Sequence, residues 1–419
     1  MGDIGDIGKI GLEYEKRIKR VADCVALKEP DKVPFIPVLE AFPVYYGGRT
    51  IKECMYDYTK TEGCFDKFFA DFKPDLGWDP IMIFPAQALE TIGITWFRWP
   101  GNGVDDDNVM YQYIEDEYMK GDEYLEAIRD MSNFMNTKWI PRSFAAMQGF
   151  KKLYTRNAMW FGFLGTFAAF DDEVINSMQA AADAAKIINK WFGYLGGYRA
   201  KMRDKFGVPL AYGGFAYAPF DMLGDSLRGT TGILTDLYDQ PENVLALVEK
   251  ITDYAIEDTI AGAQDSGSPY VWFWLHKGVD SFMSDGMYKK FYWPTLQRYI
   301  VALTEKNLVP VIYCEGEYNT RFDYLKDVPK GKVVYDFEYI DMAKAKKELK
   351  DIACIAGNMP NYLLSYGTPD QIDEHIKRLF GECAGGGGFM FDTGALIDDA
   401  KFENFEAMYN AVDKYGRYK

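Results

Sequence analysis

The sequence predicts a (β/α)8 TIM barrel, an α/β fold, with an N-terminal helical insertion over the barrel mouth. Eight apolar, β-rich runs bounded by turn residues recur along the 419-residue chain. Most are solidly apolar instead of alternating, as strands buried on both faces of a parallel sheet are. Between them lie helical patterns that open on Pro, Asp or Thr and close on Gly or Asn. Strands alternating with helices make a barrel in which chemistry sits where strands end and loops begin.

In chain order, the predicted strands are VPFIPVL (33–39), MWFGFLG (159–165), VPLAYGGF (208–215), YVWFWL (270–275), LVPVIY (308–313), KVVYDF (332–337), IACIAG (352–357) and GFMFD (388–392). Helical patterns include residues 172–207, 241–267, 288–307 and 368–385. The interval 42–158 is long and mixes helical pieces with a stretch rich in Pro, Gly and Trp. No flexible linker flanks it, so it reads as a cap within a single domain spanning 1–419. Gly385 to Gly388 precede a strand instead of opening a helix, so they predict a tight helix-to-strand turn and not a phosphate cradle.

Composition narrows the function. Lys and Arg number 47 against 63 Asp and Glu, giving a net charge of -16. Such a surface repels nucleic acid and anionic lipid. No run reaches the length of a membrane span and the start lacks the apolar core of a signal peptide, so a cytoplasmic protein is expected. The six cysteines are scattered without CxxC spacing, so neither a disulfide framework nor a zinc ribbon is indicated.

Three residues on or just after predicted strands carry the most chemistry: His276, Glu315 and Cys354. A His, a carboxylate and a thiolate are each good zinc ligands, and three protein ligands leave a position open for substrate. The alternatives are a strand-capping histidine, a small core cysteine, and a Glu315–Arg321 ion pair without metal. Lys277 or Asp280 is the proton donor if no metal is present. Phe215, Tyr217, Phe220 and Asp221 fall near the mouth, where aromatic groups with one carboxylate suit a small, flat substrate or simply fill the core. Asp336 and Asn358 lie at strand ends, as does Asp392.

Residues 17–38, 218–244 and 357–418 resemble the uroporphyrinogen decarboxylase superfamily, which shares the barrel and includes cobalamin-dependent methyltransferases. The resemblance covers nearly the whole chain. Its C-terminal pattern is Gly357-Asn358, Leu363-Leu364, Gly367-Thr368, Glu403-Asn404 and Tyr415-Gly416. The decarboxylases grip porphyrin carboxylates with an arginine-rich N-terminal segment, where this chain has VLEAFPVYYGG with Glu40. Thiol-methylating members bind zinc through His-x-Cys and a later Cys, where this chain has Tyr313, Glu315 and Asp392-Thr-Gly-Ala. Both motifs are broken.

The chain is similar instead to a substrate-demethylating subgroup of anaerobic bacteria. The matching residues are His276-Lys277-Gly278 with Phe282-Met283-Ser284, Glu315-Gly316 with Tyr318 and Arg321, and Cys354-Ile355 with Gly357-Asn358. This resemblance implies the first component of a corrinoid-dependent O-demethylase. It would take methyl from a methoxylated, aromatic substrate and pass it to cob(I)alamin on a separate corrinoid protein. In that reading Glu315, His276 and Lys277 are catalytic and a zinc on His276, Glu315 and Cys354 holds the ether oxygen. Phe215, Tyr217, Phe220, Asp221, Tyr318, Arg321, Asp336 and Asn358 bind substrate. The competing readings are a metal-free decarboxylase or lyase using Arg321 or Arg228 for a small carboxylic acid, a methylcobalamin-dependent transfer to another acceptor, and a corrinoid-binding partner without turnover.

Overall fold

The computed structural model describes residues 4–153, 158–264 and 266–418. Five parallel strands, Gly214–Tyr217, Tyr270–Leu275, Val309–Cys314, Val334–Phe337 and Cys354–Gly357, lie side by side in chain order. Backbone hydrogen bonds carry the ring around the remaining side. Gly213 N donates to Tyr270 O, Ala211 N to Gly77 O and Asp75 N to Phe35 O, so the third strand joins a segment at 75–79, which joins one at 34–39. At the other edge Ile355 N donates to Gly388 O, and Ile36 N donates to Phe391 O, which returns the ring to residues 34–39. Eight parallel segments thus surround one interior, each followed by helix or loop at its C-terminal end.

Side chains alternate between interior and helix layer. Tyr313 reaches across the interior to donate to Gly394 O at 2.8 Å, while its neighbour across the pair, Tyr335, sits one residue out of step and donates to Leu325 O on the helix side. The fourth strand, YVWFWL, is buried along its whole length, as its unbroken apolar run requires. The Gly385 to Gly388 turn is observed. A Cβ at Gly387 (φ 73°) would sit 2.3 Å from Lys28 O, so only glycine lets the chain turn this tightly there.

One predicted strand is corrected. Residues 159–165 belong to a helical segment, Ala158–Phe167, kinked at Gly162, and the second barrel strand lies instead at 75–79. A short apolar run cannot be separated from a helix by periodicity alone. The true strand, DLGWD, was hidden by a carboxylate at each end. Asp75 pairs with Arg20, and Asp79 accepts from Arg199 Nε at 2.6 Å and from the Tyr212 hydroxyl at 2.7 Å. The interval 42–158 therefore contains a barrel strand, with helices before it and the cap elements after it; residues 154–157 of that interval lie outside the described residues.

Candidate active site

Four strands end at a common level, Leu275, Cys314, Phe337 and Gly357, and the next residue on each chain opens the mouth. His276 and Glu315 follow two neighbouring strands directly, so the register brings them together. His276 Nε2 lies 3.8 Å from Glu315 Oε2, and both side chains are partly open to solvent. The other ring nitrogen, Nδ1, donates to Asp225 Oδ2 at 2.6 Å.

Asp225 stands at the head of this array. It lies one helical turn after Asp221, on the loop helix that follows the third strand. Asp221 is buried and accepts from His276 N at 2.9 Å, Lys277 N at 3.0 Å and the Tyr292 hydroxyl at 2.7 Å. One carboxylate fixes the backbone of the loop and the other fixes the ring. Lys277 is buried with its Nζ on Asp225, and a side chain at Gly224 would lie 2.7 Å from Lys277 Cε.

Electrostatics follow from this packing. Burial alone lowers the pKa of His276, but the Asp225 bond and the charges of Glu315, Asp221 and Asp225 outweigh it and raise the pKa to about 9. The ring is an imidazolium at neutral pH, with Asp225 holding Nδ1 and leaving Nε2–H toward the mouth. Burial raises Glu315, opposed by His276 and assisted by Glu338. Asp221 is pushed up to about 6 by burial and by the neighbouring Asp225. His375, the other histidine, is lowered to about 4 by burial and Arg378.

The walls are aromatic and the floor acidic. Tyr217 meets the His276 ring edge-on at 5.7 Å, and Trp274 packs against Tyr313 at 5.2 Å. Phe215 is stacked on Trp78 with centroids 6.0 Å apart. Asp336, in register with Tyr313, is fully buried beside Asp392, and neither oxygen of Asp336 has a hydrogen-bond partner among the described residues. Burial, then the proximity of Asp392, pushes Asp336 well up, while burial raises Asp392 to about 7, so the pair holds a proton at neutral pH. A second acidic pair lies at the end of the first strand. Burial and then Asp398 raise Glu40 to about 8, and Tyr111 donates to it at 3.3 Å.

Several predicted roles are corrected. Cys354 begins its strand, level with Val334, Val311 and Trp272, three residues below the rim and thus about 10 Å beneath it. Its Sγ lies 3.7 Å from Cys24 Sγ, at the foot of the barrel, and burial pushes the thiol well up. It cannot join His276 and Glu315 as a ligand. Among the described residues no group of three or more His, Cys, Asp or Glu is arranged to hold a metal ion, so the zinc site drawn from the sequence does not fit.

Arg321 does not face substrate. It is buried and engages Gly278 O, Met283 O and Asp280, with its guanidinium 4.4 Å over the Tyr288 ring. Tyr318 and Phe220 are buried behind the site, Phe220 against Tyr292 at 5.8 Å. Asn358 donates through its side-chain nitrogen to Ile340 O at 3.1 Å. Asp225 and Asp398 are functional candidates that sequence reasoning passed over. The spacing of Asp221 and Asp225, one turn apart after a strand, was the available signal for the first.

A family model described as Uroporphyrinogen decarboxylase (URO-D) matches residues 159–415. Among curated relatives, a uroporphyrinogen decarboxylase of Chlorobaculum parvum is 29% identical over 185 residues, 42% of this chain and 50% of that one. Another from Chlorobaculum tepidum is 27% identical over 217 residues, 49% of this chain and 59% of that one. The chain therefore spans only about half of the length of the curated relatives it matches. Among solved structures, a methyltransferase from Methanosarcina mazei superposes with a TM-score of 0.60 at 13% identity, covering 94% of this chain and 98% of that one, a likeness of fold.

Proposed function

This chain belongs to the uroporphyrinogen decarboxylase family, and from that premise we propose that it is a methyltransferase that demethylates a methoxylated, flat and largely apolar substrate. The observation that carries the reading is the Asp225–His276–Glu315 array at the mouth, with a protonated, partly exposed ring held at Nδ1 by Asp225 and with Nε2 3.8 Å from Glu315. A reduced corrinoid on a partner protein would supply the nucleophile that accepts the methyl group.

Cleaving a methyl–oxygen bond leaves the bonding pair on oxygen, and an alkoxide or phenoxide is a poor leaving group unless it is protonated or stabilised as it forms. His276 Nε2 gives its proton to that oxygen, and the departing group leaves as the neutral hydroxyl compound. Asp225 keeps the ring oriented before and after the transfer, and the ring takes its next proton from solvent. Glu315, 3.8 Å from Nε2, stabilises the imidazolium until substrate enters. Tyr217 and the aromatic wall favour a planar ring over a polyanion.

The competing decarboxylase reading draws support from the curated relatives, but its carboxylate-binding groups are engaged elsewhere. Arg228 pairs with Asp236 and donates to Met119 O, and Arg321 is buried in its own clamp. The net charge of -16 also disfavours binding of a polyanionic substrate. The test is a comparison of wild type, His276→Gln and Asp225→Asn with a panel of methoxylated aromatics and a reduced corrinoid. The expected result is methyl transfer by the wild type and a loss of 10²-fold or so in His276→Gln, the scale of general acid catalysis. Release of carbon dioxide from a small carboxylic acid instead would support the alternative.

A further inference from the structure

Buried acids elsewhere in this fold have a cation beside them: Asp75 has Arg20, Asp79 has Arg199 and Asp236 has Arg228. The acids across the mouth from His276 do not. Asp336 and Asp392 are fully buried and Glu40 nearly so, and burial and one another's charges dominate their surroundings. Among the described residues no Lys, Arg or His forms an ion pair with Glu40, Asp336, Asp392 or Asp398.

Sharing a proton does not complete the Asp336–Asp392 pair. Asp392 Oδ1 accepts from Val38 N at 3.1 Å and Thr393 N at 2.6 Å, which leaves its Oδ2 to share the proton with one oxygen of Asp336. The second oxygen of Asp336 is then buried without a donor, and the pair keeps one negative charge. Both features cost free energy until something brings a donor and a positive charge. Asp336 is in register with Tyr313, whose side chain crosses the barrel interior, so the carboxyl group faces the same space.

We propose that the substrate is a methoxylated arylalkylammonium, whose protonated amine is held by Asp336 with Asp392 while its methoxy group lies at His276. The methoxy end rests on the methyl-transfer reading; the amine end rests on the acids alone. Asp336 stands two strands from His276, about 10 Å across the mouth at roughly 5 Å per strand. An aromatic ring between them lies over Trp274 and Tyr313, which are level with Asp336 on the two intervening strands. Those ring faces also attract a cation. A divalent metal in the amine's place is disfavoured, because it needs six or more oxygens and no such group is arranged among the described residues. A neutral hydroxyl supplies a donor but leaves the charge unanswered.

The test is calorimetric binding of three matched compounds to the full chain: para-methoxyphenethylamine, the corresponding neutral alcohol and para-methoxyphenylpropionate. The amine should bind about tenfold or more tighter than the alcohol, the scale of one bond to a charged group, and the propionate weakest. Asp336→Asn should bring the amine and alcohol affinities together, although it changes the net charge by only one, which separates a local site from general attraction to an acidic protein. The wild-type ranking decides alone if that variant does not fold. An alcohol that binds as tightly as the amine, a preferred propionate, no binding of the amine, or an amine preference that survives in folded Asp336→Asn overturns the proposal. Binding is read without turnover. Amine preference without methyl transfer to a reduced corrinoid therefore counts against the methyl-transfer reading alone, and transfer without amine preference counts against the amine site alone.

Discussion

Replacing Asp225 by Asn removes the charge behind His276 while keeping a hydrogen-bond acceptor of the same size. The wild-type ring titrates at about 9 against the ordinary 6.5, a difference worth roughly 3 kcal/mol at 1.36 kcal/mol per pK unit, before any discount for the part of the ring that faces solvent. A bond to a charged acceptor contributes roughly 1–2 kcal/mol more than a neutral one, so the substitution is expected to lower the His276 pKa by about one unit or more. The chain has 2 histidines, so selective carbon-13 labelling gives two resolvable titrations. One should follow His276 near 9, and the other His375 near 4. Because the folded pKa of His276 lies above the unfolded one, the stability it contributes is full below about 6.5 and is lost as pH rises through about 9. Asp225→Asn should therefore flatten the fall in melting temperature over that window. Two wild-type titrations near 6.5, or an Asp225→Asn ring still titrating near 9, would refute the electrostatic reasoning.

Other perturbations separate structural from catalytic roles. Arg321→Ala should cost roughly 3–5 kcal/mol in urea denaturation, because Asp280 is left without its buried partner. Cys354→Ala should leave methyl transfer unchanged and cost only about 1 kcal/mol in the same assay, since its thiol is a small core group that meets Cys24 and a backbone carbonyl at the foot of the barrel. Glu40→Gln should raise the melting temperature relative to wild type by a margin that grows from about pH 4.5 to about pH 8 and is constant above it, because the buried Glu40 carboxyl, titrating at about 8, stays protonated over a range in which the unfolded one ionises.

The barrel was legible where strands are buried on both faces, since YVWFWL and VPVIYC can be little else. His276 and Glu315 were legible because each directly follows such a strand, and neighbouring strands in register put their successors side by side. Three things were not legible, each for a physical reason. The second strand is framed by carboxylates whose partners, Arg20 and Arg199, come from distant helices. Cys354 could have stood at either end of its short strand, and only the register puts it at the foot. Asp225 acts from a loop helix after a different strand, and nothing in one dimension says which acid of that loop reaches the histidine. The apolar run at 159–165 has strand composition, but the ring is already complete without it, so it is left outside as an uncovered helix.

The central claim is transfer of a methyl group from an ether oxygen assisted by a proton from His276. A single-turnover experiment with a methoxylated aromatic bearing a deuterated methyl group, excess reduced corrinoid and the purified chain tests it most directly. The account requires the intact labelled methyl group on the corrinoid and one equivalent of the free hydroxyl product, with a rate that falls above pH 9 in the wild type and at lower pH in Asp225→Asn. Appearance of the hydroxyl product without labelled corrinoid, or a transfer rate indifferent to His276→Gln, would contradict it.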